Sequence, residues 1–251
     1  MAESREPKQV SGKRGNSRRV SRVCENMTYS GREAFKRLRT NMLIALGDSE
    51  EKKCRIIGVT SAQPSEGKST VTVNLAYTLA ELGKSVLIID GDMRRPAVHD
   101  IVGAEQAPGV SDILNGRVGL NESIVRYKST ADDTVFDLIP GGEIPDNPAE
   151  LLNSSRFTKL VEVVSQVFDY VIVDLPPVNA VVDAVSVSKY VDGLMVVIRE
   201  GYCPRHVLET CMEQLRYAKA NILGFVMNGC VEGTGKHYQY KNQYSNNYYR
   251  K

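Results

Sequence analysis

The sequence lacks the features that mark membrane-spanning, secreted and zinc-binding proteins. No apolar run approaches the roughly 20 residues that a helix needs to cross a bilayer. The charged N-terminus is not followed by the apolar stretch of a secretory signal. The five cysteines are scattered and form no Cys-x-x-Cys pair, so neither a disulfide framework nor a zinc site is indicated. We therefore expect a protein of the reducing cytoplasm.

The N-terminal arm, residues 1–28, is basic, although the net charge of the whole chain is only +2. Between Arg5 and Arg22 there are seven Lys or Arg residues and one Glu, separated by Gly, Ser and Pro. This pattern favours a disordered arm that is either simply solvated or held against anionic lipid head groups. No recognition motif or interleaved aromatic residue accompanies the charge, so a nucleic-acid partner is not expected.

Short apolar segments alternate with amphipathic segments from residue 29 to residue 235, which we interpret as one domain. Apolar residues at helical spacing predict a first helix from Arg32 to Leu46. Strands are predicted at Arg55–Ser61, Ser85–Asp90, Val135–Pro140, Tyr170–Asp174, Gly193–Arg199 and Ile222–Asn228, and helices at Lys68–Leu82, Pro148–Phe168, Asn179–Tyr190 and Pro204–Ala218. Near-continuous Val and Ile strands separated by helices favour an α/β fold with a mostly parallel sheet, helices on both faces and an N-terminal helical extension.

A phosphate-binding loop follows the first predicted strand. Residues 61–70 read Ser-Ala-Gln-Pro-Ser-Glu-Gly-Lys-Ser-Thr and lead into a predicted helix, as in P-loop NTPases. In this loop Lys68 is expected to reach the β- and γ-phosphate oxygens, and the Ser69 hydroxyl to coordinate Mg²⁺. Ala62 replaces the first glycine of the usual pattern, but the strand–loop–helix context still predicts a nucleotide site. The loop residues expected to bind the nucleotide are Ser65, Glu66, Gly67, Lys68, Ser69 and Thr70.

Polar residues stand at the ends of three other predicted strands. Asp90 and Asp92 follow one apolar run, and Asp174 ends another. Carboxylates at the carboxyl ends of parallel strands beside a P-loop are suited to manage magnesium or an attacking group. The alternatives are a solvated turn for Asp90 and Asp92 and a helix cap for Asp174. Asn228 ends the last strand and is a candidate for contacting the adenine edge, with a plain turn as the alternative.

The C-terminal segment, residues 236–251, is rich in tyrosine. Five of the twelve tyrosines lie in the last fifteen residues of the chain. Their neighbours are polar, so the segment has no apolar period and is predicted to be a disordered tail. Exposed phenols of this kind are accessible to an active site, and the alternative is a low-complexity tail without a role. The candidate phosphorylation sites are Tyr238, Tyr240, Tyr244, Tyr248 and Tyr249.

The P-loop, an Asp-x-Asp-x-Arg box at Asp90–Arg94 and an Asp-x-Pro-Pro box at Asp174–Pro177 together resemble the bacterial tyrosine kinases. The resemblance runs roughly from Tyr29 to Lys251 and includes the tyrosine-rich tail. Residues 92–99, 109–114 and 140–152 are also similar to that family. The chain is most similar to the Gram-positive cytoplasmic type that serves capsule or exopolysaccharide synthesis, in which a separate membrane protein supplies the activating segment.

The resemblance implies an ATP-dependent, autophosphorylating protein tyrosine kinase that regulates capsule or exopolysaccharide synthesis and export. It implies that Asp90 accepts the phenol proton, that Asp92 holds Mg²⁺ together with Ser69, and that Asp174 binds the metal through water. It also implies a membrane-anchored activator that modulates polysaccharide chain length. The kinase would lie at the cytoplasmic face of the membrane through that partner.

The resemblance further implies a homo-oligomeric ring in which each tyrosine tail is delivered to a neighbouring subunit. The family's oligomerisation helix carries Glu-x-x-Arg-x-x-Arg, whereas the corresponding residues here are Glu33, Lys36 and Arg39. Lys36 keeps the positive charge but loses the planar, bidentate guanidinium. The alternative is a charged helix face that is only solvated.

Two other functions stay open at this point. Partition and septum-positioning ATPases share the scaffold but carry a lysine five places before the P-loop lysine, where this chain has Gln63. They also lack a tyrosine-rich tail. The second alternative is a nucleotide-dependent, non-catalytic regulator of polysaccharide export. Phosphotyrosine formation, ATP hydrolysis alone or nucleotide binding alone would distinguish the three functions.

Overall fold

The computed structural model describes residues 7–11, 23–47 and 53–230. The tyrosine-rich tail with its five candidate phosphorylation sites, and most of the basic arm, lie outside the described residues. Within the described ranges, no helix combines the length and the apolar character needed to cross a membrane.

Strands and helices alternate along most of the described chain. The strands are β1 (Lys8–Ser11), β2 (Arg55–Ser61), β3 (Val86–Asp90), β4 (Val125–Lys128), β5 (Val135–Ile139), β6 (Tyr170–Asp174), β7 (Gly193–Arg199) and β8 (Ile222–Asn228). The helices are α1 (Tyr29–Leu46), α2 (Lys68–Ala80), α3 (Val98–Val102), α4 (Val110–Asn115), α5 (Leu120–Ser123), α6 (Pro148–Leu152), α7 (Ser155–Ser165), α8 (Asp183–Val187) and α9 (Arg205–Tyr217). Two short 3-10 turns cover Cys24–Asn26 and Ser188–Tyr190.

The eight strands form one sheet in the order β1-β4-β5-β3-β6-β2-β7-β8. Every described pairing is parallel except that of β4 with β5. The central strands are buried along nearly their whole length because helices cover both faces, which is why they read as continuous Val and Ile runs. The predicted α/β fold with a mostly parallel sheet is therefore confirmed.

Two hydrophobic cores lie on opposite faces of this sheet. One contains buried residues of α1, α2 and α3, such as Met42 and Leu75. The other contains buried residues of α4, α6, α7, α8 and α9, such as Phe157 and Leu215. The layers place the carboxyl ends of β2, β3 and β6 side by side, with Asp90 of β3 in register with Asp174 of β6. The residues predicted to bind nucleotide and metal lie at this edge of the sheet.

The N-terminal extension packs on the helix that carries the P-loop. α1 begins at Tyr29, three residues before its predicted start, because the Thr28 hydroxyl accepts a hydrogen bond from the Gly31 N–H at 3.3 Å. Near the middle of α1, Arg39 donates to the carbonyl oxygen of Thr78 and lies 3.9 Å from the Glu81 carboxylate. The helix is thereby fixed to the C-terminal end of α2.

Several predicted elements were wrong in their bounds or missing. The helix predicted over residues 148–168 is two helices, α6 and α7, because the Ser154 hydroxyl accepts from the Phe157 N–H and caps a new start. The helix predicted over residues 179–190 is limited to α8 and the following 3-10 turn. Strand β4 was not predicted, and it pairs on one side with β5 and on the other with β1.

The basic arm also needs correction where the structure describes it. Lys8–Ser11 was expected to be disordered but forms the edge strand β1, since β4 offers it a free row of backbone hydrogen-bonding groups. Residues 23–27 pack beneath α1, and Arg32 donates to the carbonyl oxygens of Cys24 and Glu25, both at 2.7 Å. The rest of the arm lies outside the described ranges.

The contact between Arg39 and α2 predicts a measurable loss of stability. Arg39→Ala removes a charged donor whose side chain is only 13% exposed, and leaves a helix-end carbonyl without its partner. We expect the free energy of unfolding to fall by about 1–3 kcal/mol in urea denaturation. Arg37→Ala, which removes an arginine two residues away on the same helix, is the matched control. Equal losses for the two variants would contradict this role for Arg39.

Candidate functional site

The P-loop joins β2 to α2 and depends on two residues with positive φ. Gly67 has φ +91° and Ser65 has φ +67°. A Cβ atom added to Gly67 would lie 2.0 Å from the Nδ2 atom of Asn228, so the close approach of β8 to the loop requires glycine here. The loop leads directly into α2, whose N-terminal N–H groups point towards the site, an arrangement suited to phosphate oxygens.

Glu66 stabilises the loop from inside. Its buried carboxylate accepts hydrogen bonds from the Gln63 N–H at 2.9 Å and from the Arg199 N–H at 3.4 Å. Its carbonyl oxygen accepts from the Asn228 amide at 2.8 Å. The side chain of Glu66 thus connects the loop to the end of β7, and the predicted contact of its N–H group with the nucleotide stays a prediction. Asn228 holds the loop to β8, and its contact with adenine stays a prediction.

Four predicted site residues meet in one cluster at the end of the P-loop. The Lys68 ammonium lies 2.8 Å from Asp92 and 3.3 Å from Asp174. The Ser69 hydroxyl donates to Asp174 at 2.5 Å. The Thr72 hydroxyl donates to the other oxygen of Asp174 at 3.1 Å. Thr72 was not predicted, although its position four residues after Lys68 places it on the same face of α2.

Asp90 lies beside this cluster but is fully enclosed. Its Oδ2 atom accepts from the N–H groups of Ala97 and Val98, both at 3.1 Å, where α3 begins. Its Oδ1 atom is buried and has no hydrogen-bond partner among the described residues. Burial, reinforced by the neighbouring Asp174 carboxylate, raises the pKa of Asp90 to about 8. Asp90 is therefore not part of a solvated turn, which was the alternative interpretation.

Burial and neighbouring charges shift the pKa values of Lys68 and Asp174. Burial opposes the charge on Lys68, but the carboxylates of Asp174 and Asp92 outweigh it and hold the pKa of Lys68 above its ordinary value. Burial raises the pKa of Asp174, and Lys68 and the Ser69 hydrogen bond only partly offset that rise. One ammonium thus lies between two carboxylates, so the site favours an additional cation.

The donor set suits a magnesium ion. Ser69, Asp92 and Asp174 offer hydroxyl and carboxylate oxygens, the hard ligands that Mg²⁺ prefers. No group of three or more His, Cys, Asp or Glu side chains in the described ranges forms a metal cage of its own. Mg²⁺ typically binds through one or two carboxylates, water and substrate phosphates, so these residues fit the ion.

A cavity of about 670 Å³ opens in front of this cluster. The P-loop forms one wall, and the segments that follow β3 and β6 form the others. The residues that line it are Pro64, Ser65, Gly67, Lys68, Ser69, Thr70, Asp92, Arg94, Arg95, Pro96, Ala97, Asp100, Ile101, Pro176, Pro177, Ala180 and Val181. Asp90 and Asp174, each 0% exposed, lie behind this wall. The cavity can therefore hold a polyphosphate beside a second, less polar group.

The three residues predicted for oligomerisation do not share one free surface. Lys36 and Glu33 form an ion pair at 3.3 Å and are each about two-fifths exposed. The Arg39 side chain instead contacts Thr78 and Glu81 at the end of α2 in the same chain. Assembly through this helix stays a prediction, and it now depends mainly on Glu33 and Lys36.

Comparison with known proteins shows which family this chain belongs to. A family model described as "AAA domain" matches residues 54–222. The tyrosine-protein kinase YwqD of Bacillus subtilis is 34% identical over 208 residues, covering 83% of this chain and 84% of the relative. The putative tyrosine-protein kinase AmsA of Erwinia amylovora is 36% identical over 86% of this chain, but the match spans only 29% of AmsA. The kinase domain of the Escherichia coli tyrosine kinase ETK superposes with a TM-score of 0.74 at 34% identity, covering 82% of this chain and 78% of that structure.

Proposed function

Since the chain belongs to the bacterial tyrosine kinases, as its motifs predicted, we propose that it transfers the γ-phosphoryl group of ATP to tyrosines of its own C-terminal segment. This activity would regulate capsule or exopolysaccharide synthesis. The observation that carries the proposal is the convergence of Lys68, Ser69 and Asp92 at the wall of a cavity formed by the P-loop, with Asp174 directly behind them. Phosphoryl transfer needs alignment and charge neutralisation more than covalent help from the protein, and this cluster supplies both.

The P-loop residues hold the nucleotide. The N–H groups of Ser65–Thr70 surround the phosphates, and Lys68 neutralises the charge that develops on the β- and γ-oxygens. Asp92 and Ser69 would hold Mg²⁺ directly, with Asp174 acting through water. The ion would supply further neutralisation of the phosphate charge.

The acceptor phenol needs a base because its pKa is near 10. A carboxylate whose pKa is raised to about 8 accepts a phenolic proton more readily than an ordinary carboxylate, and this favours Asp90. Asp92 is the competing candidate because it lines the cavity, whereas Asp90 is enclosed by the start of α3. Replacing each carboxylate with its amide separates the two candidates, because a base and a metal ligand affect different kinetic parameters.

The proposal extends to assembly and location. Each tyrosine-rich tail would be delivered to the cavity of a neighbouring subunit. A membrane-anchored activator that modulates polysaccharide chain length would recruit the kinase to the inner face of the membrane and promote a ring. Light scattering of a Glu33→Ala/Lys36→Ala variant, mixed with that activator, tests the ring: an unchanged mass would argue against this helix face.

The activity is tested with the full chain, Mg·ATP and the activator, followed by mass spectrometry of residues 236–251. We expect phosphate on Tyr238, Tyr240, Tyr244, Tyr248 and Tyr249. ATP hydrolysis without phosphotyrosine would instead favour a partition-type ATPase. Nucleotide binding without either product would favour a non-catalytic regulator of export.

Transfer between subunits is tested by mixing two variants. One carries Lys68→Met and an intact tail, and the other keeps Lys68 but has all five tail tyrosines changed to Phe. We expect the mixture to place phosphotyrosine on the Lys68→Met chain, whereas that chain alone stays unmodified. A mixture without label, from variants that both fold, would show that each tail serves only its own site.

A further inference from the structure

An ion pair connects the two segments that face the P-loop across the cavity. The segment after β3 contributes Arg94, and the segment after β6 leads into α8, which begins with Asp183. The Nε atom of Arg94 lies 3.0 Å from one carboxylate oxygen of Asp183, and its Nη2 atom lies 3.4 Å from the other. This two-point contact fixes the plane of the guanidinium as well as its position.

The two partners differ sharply in exposure. The Asp183 side chain is 1% exposed, whereas that of Arg94 is 41% exposed and lines the cavity. Among the described residues, Arg94 is the ion-pair partner of this buried carboxylate. The Nη1 group of Arg94 makes no hydrogen bond within the described part of the chain, so it remains available as a donor.

The same two segments supply the apolar part of the cavity. Ala97 and Ile101 come from the first, and Pro177 and Val181 from the region around the second. These apolar walls beside the oriented guanidinium of Arg94 are suited to an aromatic ring attached to a polypeptide, and Arg95 and Asp100 add charged groups to the same lining. The groups assigned to the phosphates lie on the P-loop, whereas Arg94 lies on the segment after β3, and this placement favours a contact with the acceptor.

We infer that Asp183 is a positioning residue that orients Arg94 to donate a hydrogen bond to the polypeptide carrying the acceptor tyrosine. The inference rests on the proposed kinase function and adds a specificity-determining contact to it. Asp183 acts only through Arg94: without the two hydrogen bonds to this carboxylate, the half-exposed guanidinium would swing into solvent. Binding of the acceptor would weaken, while the nucleotide would keep all its interactions with the P-loop.

The test measures acceptor and nucleotide parameters separately for Asp183→Asn. The amide keeps the shape of the side chain but loses the charge and one acceptor oxygen. The acceptor is a synthetic peptide with the sequence of residues 236–251, and the enzyme carries Tyr→Phe changes in its own tail so that only the peptide is labelled. We expect the KM for the peptide to rise roughly tenfold, with kcat and the Kd of Mg·ATP within about twofold of the parent.

A matched ion pair elsewhere controls for general structural effects. Arg126 and Asp137 join β4 to β5 in the same two-point geometry, at 2.8 and 3.0 Å, and neither lines the cavity. Asp137→Asn should leave the peptide KM unchanged. Arg94→Ala should raise it as Asp183→Asn does, and the double variant should be no worse than either alone, because the two residues act as one unit.

The outcomes separate this inference from the proposed function. A peptide KM that is equal in Asp183→Asn and Asp137→Asn, or a double variant whose effects simply multiply, would overturn the role of Asp183 while the parent still forms phosphotyrosine. A parent that forms no phosphotyrosine would overturn the kinase proposal, and this inference with it. If Asp183→Asn is poorly folded by circular dichroism, Arg94→Ala decides, because the Arg94 side chain is 41% exposed: a peptide KM equal to that of the parent would overturn the inference.

Discussion

Replacing Lys68 with methionine should reduce autophosphorylation by about 10²–10³-fold or more and weaken the binding of Mg·ATP. The ammonium of Lys68 lies 2.8 Å from Asp92 and 3.3 Å from Asp174. It is the positive charge of this cluster that would neutralise the phosphates. Methionine fills a similar volume but leaves those carboxylates to repel the incoming phosphates. Phosphotyrosine is measured by immunoblot and mass spectrometry, and nucleotide binding by calorimetry.

Two comparisons make this result specific. Lys84→Met removes an exposed lysine beyond the end of α2 and should leave activity unchanged. Thermal unfolding of Lys68→Met shows whether lost activity reflects lost folding, since removing one partner of a buried ion pair can destabilise a protein. A folded Lys68→Met variant with a near-normal phosphotyrosine signal would disprove the assignment of kinase activity to this site.

The second large effect is expected from Asp90. If Asp90 is the base, Asp90→Asn should lower kcat by about 10²–10⁴-fold while the affinity for Mg·ATP stays nearly unchanged. Asp92→Asn should instead weaken metal-dependent nucleotide binding, because Asp92 lines the cavity beside Lys68. The opposite pattern, with nucleotide binding lost in Asp90→Asn and kept in Asp92→Asn, would exchange the two roles.

The stability of the same variant provides an independent control. Burial and Asp174 raise the pKa of Asp90 from an ordinary value of 3.8 to about 8, so the folded state binds this proton more tightly than the unfolded state. The stabilising contribution of the proton is complete below the unfolded pKa and is lost as the pH rises through 8. Asp90→Asn has no proton to lose, so its free energy of unfolding should fall less between pH 5 and pH 8 than that of the parent. Equal slopes in denaturant titrations would show that Asp90 does not have this raised pKa.

The sequence predicted the central fold well because its signals there are local and strong. Buried parallel strands read as apolar runs, and the P-loop and the two acidic boxes follow those runs directly, so Lys68, Ser69, Asp92 and Asp174 were predicted together. The missed features depend on contacts between distant residues. The strand Lys8–Ser11 exists only because β4 pairs with it, and Asp183 lies 89 positions from Arg94. Neither the β1–β4 pairing nor the Arg94–Asp183 contact produces a periodic pattern in the sequence.

The break between α6 and α7 is marked in the sequence by a helix-capping residue, but the apolar periodicity across it predicted one continuous helix. Ser154 follows Asn153 in the middle of an apolar pattern, and its hydroxyl begins a new helix. The role of Glu66 could not be predicted in the same way. Its place in a phosphate loop predicted a contact through the backbone N–H and gave no sign that the buried carboxylate accepts from the N–H groups of Gln63 and Arg199.

The ammonium of Lys68, shared between two carboxylates, makes nucleotide and metal depend on each other thermodynamically. A phosphate that recruits Lys68 must take it from Asp92 and Asp174, which leaves those carboxylates in need of positive charge. A divalent cation would meet that need, and it would approach the carboxylates more easily once the ammonium has turned to the phosphates. Each ligand therefore raises the affinity for the other by the same factor. We therefore expect the nucleotide to bind more weakly without the metal, because the two carboxylates would then lack a counter-charge.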